Sequence, residues 1–425
     1  MSQPTRILLA LIAGLSLGLL SAAVKGDWVA TVIMVAEPIG GLWVNALQMT
    51  IVPLVVSLLI TGIAASAEAA RASRLAGRAL ILFIVLLWIS SALGAVLTPL
   101  FLDLWPLPNE SGAALRAALT ASPPVGEIAG FGEFVRSIIP TNPISAAAND
   151  AILPLIIFTT IFAFALTRLP EEPREQLTRF FRAVSDVMLV VIGWILWIAP
   201  IGVLALAYVV GARAGAAAFG ALLHYVVIVS AVGIVVWLLA YPLGVIGGRT
   251  SLGRFARAVA PSQAVAISTQ SSLASLPAML RGAEILGVPV AASGVVLPLA
   301  VAIFRATGPV MNLAVALYIA HWFGIELGPM QIAAGIAAAA ITTMGAVSLP
   351  GQVSFITSIA PIALVMGVPI EPLALLIAVE TIPDIFRTLG NVTMDVAATA
   401  TVARRSGFEE DEALSVEDRL LAPEE

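Results

Sequence analysis

Long apolar stretches dominate the chain and are separated by short polar connections. They cover residues 7–24, 40–66, 79–102, 143–167, 184–211, 221–247, 285–323 and 369–403. A helix of about 20 apolar residues is long enough to cross the ~30 Å hydrocarbon core of a bilayer. Two further stretches, near 258–282 and 330–366, contain prolines and polar clusters that interrupt them. The pattern predicts an all-α polytopic membrane protein with eight full spans and two interrupted ones.

The composition supports a membrane location and excludes several other classes of protein. Of the 425 residues, 60% are hydrophobic and 11% are charged, whereas soluble domains average about 25% charged residues. A net charge of −5 without a basic patch argues against nucleic-acid binding. The absence of cysteine excludes thiolate metal sites, and two histidines are too few for a histidine-rich one. We therefore expect no cofactor and no nucleic-acid partner.

Arginines cluster at alternate connections between the apolar stretches. The clusters are Arg71, Arg74 and Arg78; Arg168, Arg174, Arg179 and Arg182; Arg249, Arg254 and Arg257; and Arg404 and Arg405. Because positively charged loops face the cytoplasm, we expect a multi-pass protein of the cell inner membrane with both termini cytoplasmic. Residues 1–405 then form one membrane domain, and 406–425 form an acidic cytoplasmic tail.

The last apolar stretch contains polar residues that are costly at membrane depth. They are Glu380, Asp384, Arg387, Thr388, Asn391 and Asp395. At about 100° per residue they fall on one stripe of a helix, and buried ionisable groups in a membrane mark candidate functional sites. Arg387 offers a planar fork for a carboxylate, and Asp384 offers an acceptor for an ammonium group. The alternative is a packing stripe in which Asp384 and Arg387 simply pair at i, i+3.

The two interrupted stretches share a short motif. Ser275-Leu276-Pro277 occurs in the first, after the polar run 268–272, and Ser348-Leu349-Pro350 occurs in the second, before Gly351. Paired interrupted segments in the two halves of a membrane protein point to the binding site of a transporter. Free backbone amides at membrane depth are tolerated only where they line a cavity. We therefore expect both segments to contribute to a ligand site.

Several motifs together resemble the dicarboxylate/amino acid:cation symporter family, the glutamate transporter group. They lie at residues 139–143, 199–203, 269–272, 349–351, 384–388 and 391–395. The resemblance implies eight transmembrane helices and two re-entrant helical hairpins related as inverted repeats. It implies a homotrimer whose scaffold comes mainly from spans 1, 2, 4 and 5. It also implies a transport domain, from spans 3 and 6 and residues 258–403, that moves as an elevator.

The resemblance also implies a substrate site built from the hairpins and the last span. Its residues are Ser271, Ser272, Gly351, Asp384, Arg387, Thr388 and Asn391. Ser272 and the backbone at Gly351 hold a substrate carboxylate, and Thr388 and Asn391 assist. Arg387 binds the acidic side chain and Asp384 the amino group, which together favour aspartate or glutamate as the substrate. A C4-dicarboxylate is the alternative substrate.

One motif departs from the family pattern. Residues 304–308, Phe-Arg-Ala-Thr-Gly, stand where the family has Asn-Met-Asp-Gly-Thr, which supplies sodium ligands. Asp395 and Asn391 are the remaining sodium-site residues, so the sodium site is doubtful. Our hypothesis is that Arg305 acts as a tethered cation facing Asp395 in place of sodium, with protons carried by Glu380 or Asp395. The alternative is that Arg305 snorkels or pairs elsewhere, and the coupling ion remains open between H⁺ and Na⁺.

A secondary active symporter is the function that these features favour. An intramembrane hydrolase is disfavoured because the sequence has neither a His-Glu-x-x-His nor a Gly-x-Ser-x-Gly motif, so we do not expect an enzyme. A passive channel or a substrate sensor on the same fold is the other alternative, because the ion motif has diverged. A channel equilibrates its substrate, whereas a sensor binds the substrate without moving it.

Overall fold

The computed structural model describes residues 3–406, apart from residues 25, 27, 108–135, 137, 150 and 346–350. Helices account for nearly all of this part of the chain, and no β-strand occurs among the described residues. The predicted all-α class is therefore confirmed. Ser348, Leu349, Pro350 and the acidic tail beyond Ser406 lie outside the described residues.

The helices follow the apolar stretches of the sequence. In chain order the first are α1 Gln3–Val24, α2 Trp28–Gln48, α3 Ile51–Ala72, α4 Arg74–Leu104, α5 Pro143–Ala148, α6 Ile152–Leu166, α7 Glu171–Ala214 and α8 Ala217–Pro242. The others are α9 Leu252–Thr269, α10 Ser272–Ile285, α11 Val290–Ile303, α12 Thr307–Phe323, α13 Pro329–Gly345, α14 Gly351–Val365, α15 Leu373–Leu376 and α16 Thr381–Ser406. A π-helical turn, Leu243–Gly247, extends α8.

Six helical segments of the described chain are long and apolar enough to cross a membrane. They are Thr5–Val24, Trp28–Ala70, Arg74–Leu104, Glu171–Ala214, Ala217–Gly247 and Val290–Phe323. Shorter apolar helices occur at Ile152–Leu166, Pro329–Met344 and Phe355–Val365. Several helices could thus cross a membrane, as the apolar pattern predicted. Residues 143–167 and 369–403, which were expected to be full spans, do not contain such a segment in their described parts, so the layout of eight spans is not confirmed.

Three apolar stretches that looked continuous are broken, and each break is followed by a proline. Pro53, Pro309 and Pro383 are each the third residue of their helix, namely α3, α12 and α16. Proline lacks an amide hydrogen and is favoured in the first turn of a helix, where that hydrogen has no partner, although Pro38 and Pro200 lie inside α2 and α7. The helices therefore begin just before these prolines, which leaves Arg305 in the break before α12 and Glu380 immediately before α16.

The first interrupted stretch forms a pair of packed helices, α9 and α10. Gln270 ends α9 in the left-handed conformation, with φ of 51°, which is uncommon for a residue other than glycine. Ser271 caps α10, because its hydroxyl oxygen accepts a hydrogen bond from the Ala274 amide at 3.2 Å. The Gln270 side chain donates to the Thr381 carbonyl oxygen at 3.2 Å. This contact places the tip of the helix pair against the first turn of α16.

The helices pack in two groups that meet at α3, which also contacts α4 and α13. Helices α1, α2 and α3 contact the long helix α7, and α3 also contacts α6. Helix α16 contacts α4, α8, α9, α10 and α11, while α4 contacts α12 and α13. The charged residues Glu380, Asp384 and Arg387 of the last apolar stretch therefore lie at the centre of the second group.

Glycines allow α1 and α7 to approach closely. A Cβ atom at Gly211 of α7 would lie 3.0 Å from the Leu15 Cα atom and against the Leu15 carbonyl oxygen of α1. In membranes, small residues at helix contacts replace the hydrophobic driving force that is absent between apolar helices. Gly193, on the same helix, has no atom within 4 Å of such a Cβ.

We predict that Gly211→Ala destabilises the protein by about 1–3 kcal/mol, because the added methyl group overpacks the α1–α7 contact. Gly193→Ala adds the same methyl group and the same gain in helix propensity without a clash. Thermal unfolding of the two purified variants in detergent checks this. Equal melting temperatures for the two variants would contradict the close contact.

Candidate functional site

Arg387 lies at the centre of a buried polar cluster. Its Nη2 is 2.5 Å from Glu380 Oε1, its Nη1 donates to Asn312 Oδ1 at 2.6 Å, and its Nε is 3.4 Å from Asp384 Oδ1. All three guanidinium nitrogens therefore have an oxygen partner. Hydrogen bonds between ionised groups are about twice as strong as neutral ones. The cluster fixes the plane of the guanidinium group.

Three elements supply the cluster. Asp384 and Arg387 lie on the first two turns of α16, where the i, i+3 spacing puts them on one face. Asn312 comes from α12, in an otherwise apolar stretch of that helix. Tyr225 comes from α8, and its hydroxyl group donates to Glu380 Oε2 at 3.0 Å. Glu380 thus has a separate partner for each carboxylate oxygen.

Asn391 connects α16 to the beginning of α12. Its Oδ1 accepts a hydrogen bond from the Thr307 backbone amide at 2.9 Å. The Thr307 hydroxyl group lies 2.7 Å from the same oxygen and 2.8 Å from the Arg387 carbonyl oxygen. A side-chain oxygen on the first free amides of a helix acts as a cap. In this structure Asn391 therefore stabilises the start of α12.

Asp395 is a carboxylate in an apolar environment. The residue is 0% exposed, and within the described part of the chain neither of its carboxylate oxygens accepts a hydrogen bond. Arg305 interacts electrostatically with both Asp384 and Asp395. Arg305 thus reaches the last span from the break before α12, as a positively charged neighbour of both carboxylates.

The predicted site residues differ in how closely the structure connects them. Asp384 and Arg387 are in direct contact, and Thr388 is buried beside them on α16. Ser271 uses its hydroxyl group as a helix cap, and Ser272 is the half-buried first residue of α10.

Gly351, the remaining predicted site residue, is the first residue of α14. The segment that leads into it lies outside the described residues. The backbone amide of Gly351 is therefore at a helix N-terminus, where it has no partner within the helix.

Sequence reasoning missed three residues of the cluster: Tyr225, Thr307 and Asn312. Asn312 carries a signal that could have identified it, because a lone amide in an apolar helix at membrane depth needs a polar partner. Nothing in the sequence around Tyr225 distinguishes it from a tyrosine packed among apolar residues. The contact between Tyr225 and Glu380 joins positions 155 residues apart, which only the fold brings together.

The match to a family model covers almost the whole chain. Residues 4–405 match the model of the sodium:dicarboxylate symporter family. The proton/glutamate-aspartate symporter of Escherichia coli (strain K12) is 28% identical, over 98% of this chain and 96% of that protein. The C4-dicarboxylate transport protein of Anaeromyxobacter sp. (strain K) is 29% identical, over 95% of this chain and 89% of that protein.

A third relative has a name that includes both coupling ions. The proton/sodium-glutamate symport protein of Bacillus subtilis (strain 168) is 27% identical, over 88% of this chain and 86% of that protein. These relatives are transporters and not enzymes. The chain belongs to the sodium:dicarboxylate symporter family.

Proposed function

We propose that the protein is a secondary active symporter that carries aspartate or glutamate across the inner membrane. The observation that carries this proposal is the buried pair of Arg387 and Asp384, 3.4 Å apart on one face of α16. An acidic amino acid presents a carboxylate and an ammonium group, which this pair complements in charge. A relative with a similar chain length is named as a proton/glutamate-aspartate symporter.

The substrate is held by groups from the last span and both interrupted segments. Arg387 binds the side-chain carboxylate through two parallel hydrogen bonds, and Asp384 accepts from the ammonium group. Thr388 and Asn391 complete the hydrogen bonds around the substrate. The backbone carboxylate binds at Ser271, Ser272 and the free amides at Gly351, because helix N-termini attract anions. The contact of Gln270 with Thr381 supports this arrangement, since it brings the Ser271–Ser272 tip to α16.

A C4-dicarboxylate is the second candidate substrate, and two of the relatives at 29% and 26% identity are named for its transport. Asp384 argues against it. A dicarboxylate has no ammonium group to pair with Asp384, so a buried carboxylate would face a second one without a counter-charge. Like charges at such short range are strongly unfavourable in a buried site.

Proton coupling fits the charges near the last span better than sodium coupling. The electrostatic interaction of Arg305 with Asp395 supports the hypothesis that a tethered guanidinium group replaces a mobile sodium ion. An arginine is always charged, so it neutralises Asp395 without an ion from solution. Glu380 and Asp395 are the candidate proton carriers.

The packing supports an elevator mechanism. The group formed by α1–α3, α6 and α7 corresponds to the scaffold from spans 1, 2, 4 and 5. The group around α16 corresponds to the transport domain from spans 3 and 6 and residues 258–403. On this proposal three copies assemble through their scaffolds, and eight spans and two re-entrant hairpins cross or enter the membrane. Both termini lie in the cytoplasm.

Uptake by purified protein in liposomes tests the proposed function. We expect radiolabelled aspartate to accumulate above its external concentration when an inward proton gradient is imposed, and not with a sodium or potassium gradient alone. A channel would only equilibrate aspartate, and a sensor would bind it without uptake. Either result would reject the symporter.

We predict that Asp384→Asn weakens aspartate binding by about 10–100-fold, the effect of losing a charged hydrogen bond of ~1.5–3 kcal/mol. Succinate binding should be retained or improved, because the repelling carboxylate is gone. Competition of both ligands against labelled aspartate, in the wild type and the variant, measures this. Equal weakening of both ligands would contradict the role of Asp384 in holding the ammonium group.

We predict that Arg305→Met makes aspartate uptake depend on sodium, because removing the tethered cation leaves Asp395 without a positive neighbour. Arg257→Met is a matched control, since Arg257 is on α9 with its Nε donating to the Gly253 carbonyl oxygen. Uptake into liposomes with and without an inward sodium gradient measures the difference. Sodium independence of Arg305→Met would rule out the surrogate role.

A further inference from the structure

Six exposed arginines lie on three segments that meet at the end of α16. They are Arg249, Arg254, Arg257, Arg281, Arg404 and Arg405, which we call the arginine patch. The three segments cover residues 243–257, 272–290 and 396–406, and their one acidic residue is Glu284. The six arginines and Glu284 together give this surface a net charge of +5.

Contacts with α16 bring the three segments together. The Arg404 Nη2 atom donates to the Leu286 carbonyl oxygen at 3.2 Å, which joins the end of α16 to the end of α10. The Thr401 hydroxyl group lies 3.4 Å from the Leu243 carbonyl oxygen in the π-helical turn that precedes Arg249. Helix α9, with Arg254 and Arg257 in its first turns, also packs against α16. The arginines therefore belong to one surface.

The described part of the chain does not neutralise the patch. None of its six arginines forms a salt bridge with another described residue. Two of them donate to backbone carbonyl oxygens, Arg257 to that of Gly253 at 3.1 Å and Arg404 to that of Leu286. Because like charges at close range repel one another, this surface favours an anionic partner.

Arg249 has a backbone conformation that is unfavourable for an arginine. Its φ angle is 50°, in the left-handed region that glycine adopts most readily, and Gly247 and Gly248 directly precede it. A residue with a Cβ atom at such a position costs free energy that a third glycine would not. The geometry of the turn therefore does not explain the arginine, whereas a role for its charge does.

The other arginine clusters have a smaller excess of positive charge. Residues 168–186, at the start of α7, contain four arginines and four acids, so their charges cancel. Residues 68–78, around the start of α4, contain three arginines and Glu68. The arginine patch therefore has the largest net charge of the three surfaces, and residues 168–186 provide a matched control for it.

The acidic tail, residues 407–425, supplies the complementary charge. It contains eight acids and one base, Arg419, which give a net charge of −7. Its first acids, at 409–412, come a few residues after Arg405, so the tail is attached at the patch itself. An extended chain covers about 3.3–3.6 Å per residue. Residues 409–418 can therefore reach about 35 Å, several times the ~8–10 Å between the axes of packed helices.

We propose that the acidic tail docks on the arginine patch and holds α9 and α10 against the end of α16. A single exposed ion pair contributes little. Several pairs act together here, and the covalent attachment keeps the tail at an effective concentration on the order of millimolar, so weak individual contacts are sufficient. Because salt screens exposed charges, the docking weakens as ionic strength rises.

Disulfide trapping tests the docking, because the chain has no native cysteine. Ala413→Cys puts a thiol beside the first tail acids, and Gly253→Cys puts one next to Arg254, where an added Cβ meets no atom within 4 Å. At low ionic strength we expect this pair to form an intramolecular disulfide about tenfold faster than Ala413→Cys with Ala183→Cys, an exposed position beside Arg182. High salt should remove the difference. Equal rates, or a difference that does not depend on salt, would overturn the proposal.

Two sets of substitutions separate the patch from positive charge in general. The first set is Arg249→Gln, Arg254→Gln and Arg281→Gln. The second set is Arg168→Gln, Arg179→Gln and Arg182→Gln. Both sets remove three exposed charges, but only the first should abolish the fast disulfide between positions 413 and 253. An equal effect of the two sets would show non-specific attraction and reject the patch as the docking surface.

Anionic lipid headgroups are the other partner that the patch could bind. The same disulfide measurements in nanodiscs of zwitterionic and of anionic phospholipid distinguish the two. We expect the fast disulfide in both, because the tail is attached and the lipid is not. Its loss in anionic nanodiscs would assign the patch to lipid headgroups and overturn the proposal.

Thermal unfolding of the full-length protein provides a test without cysteines. Changing the eight tail acids to glutamine and asparagine should lower the melting temperature by a few degrees at low ionic strength, because the tail then no longer holds α9 and α10 against α16. At high salt the variant and the wild type should melt together. An unchanged melting temperature at low ionic strength would contradict the proposed contact.

Discussion

A permanently charged guanidinium group in a buried environment determines the arrangement around the last helix. Arg387 cannot lose its charge inside a protein, so the fold must supply oxygen atoms around it. Glu380, Asp384 and Asn312 do this from three directions. These contacts require α12 and the segment before α16 to meet at one point. Because Arg387, Glu380, Asp384 and Asn312 satisfy one another, the first turns of α16 are stable among apolar neighbours.

The fold class and much of the site could be predicted from the sequence because both depend on local patterns. Apolar length predicts the spans, and the polar stripe at helical spacing predicts that Asp384 and Arg387 share a face. The breaks were harder to predict, since a proline in an apolar run is compatible with a kinked helix as well as with a helix start. Only the helix boundaries in the structure show that Pro309 and Pro383 mark helix starts and not kinks.

The contacts between distant segments could not be predicted. Neither the pairing of Glu380 with Tyr225 nor that of Asn312 with Arg387 follows from spacing, since each joins different helices. The polar stripe in the sequence also predicted that Glu380 belongs to the last helix. In the structure Glu380 precedes Thr381, the first residue of that helix. That position at a helix start frees its side chain from the α16 stripe. Its carboxylate can therefore bridge Arg387 and α8.

The cap that Asn391 provides for α12 limits how that side chain can take part in ion binding. A carbonyl oxygen has two lone pairs, and Oδ1 already faces the amide and the hydroxyl group of Thr307. A cation coordinated by Asn391 Oδ1 would compete with the Thr307 amide, at the start of α12, for the lone pairs of that oxygen. Any affinity for such a cation is reduced by the free energy of uncapping α12, about 0.5–2 kcal/mol. The oxygen atom that caps α12 is thus the same atom that a cation at Asn391 would need.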